Sequence, residues 1–110
     1  MPKYLVIYHA PGEAMAEMAN ATPEQKAEGM KPWMAWAEKT GKQLIDFGSP
    51  LMGGQRLSPD GTASNSTKEV TGYSFLEAAN MDEAKSLLKG HPHLAWNGGC
   101  DIELHEGIPM

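Results

Sequence analysis

The first hydrophobic run, KYLVIYH at residues 3–9, is apolar and aromatic with β-branched residues at its centre. It is bounded by Pro2 and by the Ala-Pro-Gly of residues 10–12, so it predicts a mostly buried strand. The pattern then changes period. Thr22 is placed to cap a helix, Pro23 suits the first helical position, and Gln25 stands where the third residue of a capping box reaches back. Ala27, Met30, Met34 and Ala37 recur at three- and four-residue spacing and form one apolar stripe, with Trp33 at its border and Trp36 further round. Pro32 costs a helical hydrogen bond and crowds the preceding turn, so with Gly29 it predicts a kink or two consecutive helices, closed at Gly41.

A second strand is expected in QLIDFGSPLM, residues 43–52, and a third in VTGYSFLEA, residues 70–78. The turn-rich stretch between them, GGQRLSPDGTASNSTKEV, makes the pair a long, decorated hairpin. In NMDEAKSLLKG, Asn80 can cap, acidic residues occupy the first turn and lysines the last, which complements a helix dipole up to Gly90. Polar and apolar residues alternate from Asp101 to His105, as in a strand with one wet face. The order β-α-β-β-α-β predicts an α+β ferredoxin-like domain: a four-stranded antiparallel sheet with both helices on one face. The other face then needs a cover, which predicts pairing of two sheets in a homodimer.

Composition narrows the function classes. A chain of 110 residues fits a single domain spanning residues 1–110 and can bury a core unaided. The net charge is −5, and a single arginine, Arg56, stands beside eight lysines, so no basic stripe is present for nucleic acid. No apolar run approaches the roughly 20 residues that cross a bilayer. The short apolar start lacks a cleavage site, and a lone cysteine, Cys100, suits a reducing compartment, so a cytoplasmic location is expected.

The chemistry-bearing stretch is GHPHLAWNGGC, residues 90–100. In one reading Gly90 closes a helix, Pro92 stops it, and His91 is held extended before proline while it gains from the helix's negative end. In the other, His91 faces a cleft as an acid/base or anchoring group. The spacing of His91, His93 and Cys100 matches no standard zinc set, so neither metal nor cofactor is expected. Asp46 lies mid-strand, where a carboxylate wants water, a cavity or a partner, and is the second catalytic candidate. Tyr8, His9, Tyr73 and Trp33 are candidate substrate contacts, against plain rim and packing roles. Glu103 and His105 share one strand face and are weaker candidates. Trp33, Trp36 and Trp96 suit an aromatic wall or simple packing, and MGGQRL and NGGC read as turns because no helix and lysine follow them.

Taken together, KYLVIYH, TPEQ with its tryptophan-containing helix, GKQLIDFGSPL, VTGYSFLEAANMDEAKSLLKGHP and CDIELHE resemble the YCII-related family. That resemblance covers nearly the whole chain and implies the dimeric α/β-barrel form of the ferredoxin-like fold. Some family members carry a first-helix histidine and an Asp-Pro step after the second helix, suggested as a catalytic pair. Here Met30 and Lys31 occupy the first neighbourhood and His91-Pro92 the second, so the pair does not transfer, although His91 stands where the aspartate would. The expectation is a homodimer binding a small organic molecule in a pocket between sheet, helices and residues 90–97, with acid/base chemistry by His91 and Asp46. The alternative is a non-catalytic ligand-sensing or partner-binding accessory module.

Overall fold

A computed structural model describes residues 1–67, 69–96 and 98–109. The elements run β1 (Lys3–His9), α1 (Gly12–Ala19), α2 (Pro23–Thr40), β2 (Leu44–Asp46), β3 (Gln55–Leu57), β4 (Ala63–Asn65), β5 (Val70–Glu77), α3 (Met81–Leu87), α4 (Pro92–Trp96) and β6 (Asp101–Glu106). β2, β5, β1 and β6 lie side by side in that order, every pairing antiparallel. This is the ferredoxin-like order, with β1, α2, β2, β5, α3 and β6 as its six elements. β3 and β4 form a separate two-stranded hairpin inside the β2–β5 connection.

Alternation along β1 sorts the two sheet faces. Tyr4, Val6 and Tyr8 are buried against Trp36 of α2 and Ala84 and Leu88 at α3, together with Leu76 of β5. Leu5 and Ile7 point the other way, beside Phe75 and Tyr73 of β5 in register, and are only half-buried. The helices therefore cover one face and leave an apolar second face open in the single chain.

The caps form as the sequence predicts. Gln25 N–H donates to Thr22 Oγ1 at 3.1 Å while Thr22 N–H donates to Gln25 Oε1 at 2.9 Å, and Glu83 N–H donates to Asn80 Oδ1 at 2.9 Å. The helical stripe is placed differently. Met30 and Met34 are exposed, whereas Trp36 and Thr40 are buried and Trp33 and Ala37 pack on the core, so the inward face is the tryptophan face. Large rings bury more area than thioether chains, and burying Trp36 turns the methionines outward.

Four further boundaries differ. α2 runs as one helix through the exposed Pro32, so of the two expected forms the pair of consecutive helices is not realised. α1 was not foreseen: it is eight residues long, and Pro11 before it offers no capping side chain. β2 holds only three residues, and beyond it the expected strand pairs its backbone with β5 at a bridge from Pro50 to Gly72. Pro92 opens a short helix, α4, where the sequence predicts only a stop. Lys68 of the turn-rich stretch, Asn97 of the 90–97 segment and the terminal Met110 lie outside the described residues.

Candidate functional site

Gly90, at φ 75°, ends the α3 segment in the left-handed conformation that favours glycine. His91 N–H then donates to the Leu88 carbonyl at 3.1 Å, and Leu94 N–H to the His91 carbonyl at 3.1 Å. This tight turn carries His91 and His93 into the interior, each only 1% exposed. Neither faces open solvent, which corrects the expectation of a cleft-facing His91. Three aromatic rings enclose the His91 imidazole, with centroids at 4.3 Å (Trp36), 4.6 Å (Trp33) and 5.2 Å (Tyr8).

The hydrogen bonds around His91 assign its proton by elimination. The His93 backbone N–H donates to His91 Nδ1 at 3.0 Å, so that nitrogen carries a lone pair and the proton sits on Nε2. Ser74 donates its one hydroxyl proton to the Phe47 carbonyl at 2.7 Å, so it can only accept from Tyr8, at 2.9 Å. The Tyr8 hydroxyl is then left as acceptor for His91 Nε2–H at 3.3 Å. The result is a one-way chain: His91 Nε2–H to Tyr8, Tyr8 to Ser74, Ser74 to the carbonyl of Phe47. Burial, with His93 alongside, pushes the His91 pKa down to about 4, and burial pushes the Tyr8 pKa up to about 12. Both groups are neutral near pH 7.

His93 is equally committed. Its Nε2–H is shared between the carbonyls of His9, at 2.7 Å, and Asp101, at 3.1 Å, which staples α4 to the ends of β1 and β6. Burial lowers its pKa, opposed by those two carbonyls. Among the described residues no three His, Cys, Asp or Glu side chains converge in a way that could hold a metal.

The remaining sequence candidates scatter. Asp46 is exposed, and its Oδ1 accepts the Gly48 N–H at 2.8 Å, closing the turn after β2. The groups bonded to the His91 ring are Tyr8 and the His93 backbone, so the structure does not bring Asp46 and His91 together as a bonded pair. Tyr8 and Trp33 do join His91, their rings 5.0 Å apart. His9 and Tyr73 lie on the opposite sheet face. There Tyr73 packs on Phe75 at 6.0 Å, and Glu103 bridges His9 and His105 at 2.8 Å each. The two histidines hold the Glu103 carboxyl below its usual range. Ser74 was missed by sequence reasoning. Its signal is a hydroxyl in the inward positions Gly72, Ser74 and Leu76 of an alternating strand, where a buried polar group needs a partner.

Beside this cluster, α2 and the 90–96 segment frame a groove of about 470 Å³. Pro32, Ala35 and Trp36 form one wall, Pro92 and Trp96 the other, and Lys39 and Lys89 supply the charge. The sheet takes no part in it, so the expected pocket between sheet, helices and residues 90–97 is narrowed to two of its three walls. Trp36 belongs to both sites: its ring rests on His91, and its Nε1–H donates to the Leu87 carbonyl at 2.9 Å. A second, wider depression of about 970 Å³ lies between α3 and β6, and carries both acidic and basic residues.

No helix among the described residues is long and apolar enough to cross a membrane. No family model matches the chain, and no curated protein matches it. Among solved structures it is similar to 5-chloro-2-hydroxyhydroquinone dehydrochlorinase from Burkholderia phenoliruptrix, determined with 2,5-dihydroxybenzoquinone. The identity is 19%, the alignment covers 94% of this chain and 91% of that one, and the TM-score is 0.49.

Proposed function

We propose that the chain is a YCII-related, ligand-binding subunit of a homodimer, and that it holds a small organic molecule without transforming it by proton transfer. The observation that supports this is the one-way chain from His91 to the Phe47 carbonyl. A general acid or base works best with a pKa near the operating pH and within reach of its substrate. His91 has neither property: its pKa lies at about 4, and both ring nitrogens are already bonded inside the protein. Its role is to support Trp36 from beneath, and Trp36 is a wall of the adjoining groove. The reading places the ligand in this groove, which is open and walled mainly by apolar side chains.

The dimer part of the reading is supported by the open sheet face, where Leu5, Ile7, Tyr73 and Phe75 form one apolar patch in register across β1 and β5. The reading is tested by a thermal-shift screen with small acids, amines and sugars, paired with NMR of each stabilising mixture. The expected result is stabilisation by a subset of compounds that stay chemically intact. Consumption of a stabilising compound by the wild type, but not by His91→Gln, would restore the acid/base reading.

A further inference from the structure

We propose that the groove between α2 and the 90–96 segment selects a small, flat, apolar ligand carrying one carboxylate. The inference deepens the ligand-binding reading above and rests on it. The lining is mostly ring surface: Trp36, pinned through its N–H to Leu87, and Pro32 border the groove on the α2 side, with Pro92 and the half-buried Trp96 on the other. Ala35 and Ala95 add only methyl groups, which leaves room for a ring to lie against the walls. Aromatic and proline surfaces of this kind favour a planar apolar body over a branched or strongly hydrated one.

Charge selects the rest of the ligand. Among the described residues the two ionisable groups lining the groove are lysines, Lys39 one turn beyond Ala35 on α2 and Lys89 immediately before Gly90. Lys31 and Lys85 pair with Glu28 and Asp82 on their own helices. Lys39 and Lys89 take part in no ion pair among the described residues, in a chain whose net charge is −5. Two ammonium groups that form no ion pair among the described residues and border one apolar groove complement a single anionic head on an apolar body. The second depression lacks this asymmetry, since Asp82 and Asp101 accompany Lys85 and Lys89 there.

The test uses the full chain and two probes of the same shape, phenylacetate and its neutral counterpart phenylacetamide. Each is titrated by tryptophan fluorescence, with calorimetry as a second readout. Phenylacetate is expected to bind about five- to tenfold more tightly than the amide, the scale of two partly exposed ion pairs. A Lys39→Met, Lys89→Met double variant is expected to lose that preference while it keeps its affinity for the amide. Ala35→Phe, at an exposed groove position, is expected to abolish binding of both probes. Equal affinity for the two probes overturns the ligand class and leaves the groove as a binding site. No binding of either probe overturns both the class and the groove. Binding that survives Ala35→Phe moves the ligand elsewhere and overturns this site.

Discussion

At the scale of single residues, the unusual choice is to bury two histidines and a tyrosine and leave none of them ionised. A buried imidazole in this setting is a stability element with a pH signature. The unfolded chain protonates His91 near its ordinary value of 6.5, the folded chain only near 4, so the unfolded state binds more protons between those values. Stability is therefore fully present above about pH 6.5 and is lost as pH falls toward 4. The loss is on the order of 3 kcal/mol for this residue, and His93 adds to it in the same direction. Urea unfolding at stepped pH should show the decline in that window, and His91→Gln should flatten it. A slope unchanged by the variant would mean that His91 is not the titrating group. Tyr8 gives the mirror case, since its folded pKa of about 12 lies above the ordinary 10, so stability is lost as pH rises through that interval. The hydroxyl can be tested alone. Tyr8→Phe keeps the ring against Trp33 but strips His91 Nε2–H of its acceptor. A buried donor left unpaired should cost about 1–3 kcal/mol, read as a lower denaturation midpoint with the slope unchanged. A neutral result would mean that the 3.3 Å contact contributes little.

At the scale of elements, the short β2 shows how a turn replaces a strand. Gly48 adopts φ 77°, and a Cβ there would lie 1.8 Å from the Tyr73 carbonyl oxygen, so the chain can pass β5 at this point only with glycine. Asp46 holds the turn by accepting the Gly48 N–H, which is why its carboxylate belongs to the backbone and not to a catalytic pair. Gly48→Ala is expected to destabilise the fold by several kcal/mol, far more than Asp46→Asn, and thermal unfolding of both variants checks the order. Equal effects would place the strain outside this turn. The same elements show what the sequence makes legible. Caps and alternation are local signals, so Thr22 with Gln25, Asn80 with Glu83, and the strand β1 were readable, and with them the order of the ferredoxin-like core. Burial along α2 is not local. It depends on which neighbours the ring of Trp36 meets, namely His91 and the Leu87 carbonyl, and these lie more than fifty residues away in the chain. For the same reason GHPHL could be read as a helix end with a histidine, but not as a turn that drives two histidines inward. Its packing partners, Tyr8, Trp33 and Trp36, come from two other elements.

At the scale of the whole molecule, the two sheet faces have opposite fates. One is covered by α2 and α3, while the other carries the rows Tyr73–Ile7–Glu103 and Phe75–Leu5–His105 across β5, β1 and β6. Each row is apolar on two strands and polar on the third, where Glu103 ties His9 and His105 together. A face with an apolar centre and a polar margin is the usual anatomy of an interface, and a two-fold axis lets the same patch serve both partners. Ile7 sits at the middle of its row, so Ile7→Lys places a charge on both sides of the proposed contact. Light scattering is expected to give a dimer mass for the wild type and a monomer mass for the variant, with circular dichroism unchanged. Tyr73→Lys, its neighbour in register, serves as the second variant should the first fail to fold. A dimer that survives both changes would place the subunit contact elsewhere. The described residues lining the α2 groove lie on the helical side of the sheet, away from the open face, so the Ile7→Lys variant is expected to show the same phenylacetate affinity as the wild type. Loss of ligand affinity together with the dimer would show that the open face shapes the groove from across the sheet, and would join two sites that the chain otherwise keeps apart.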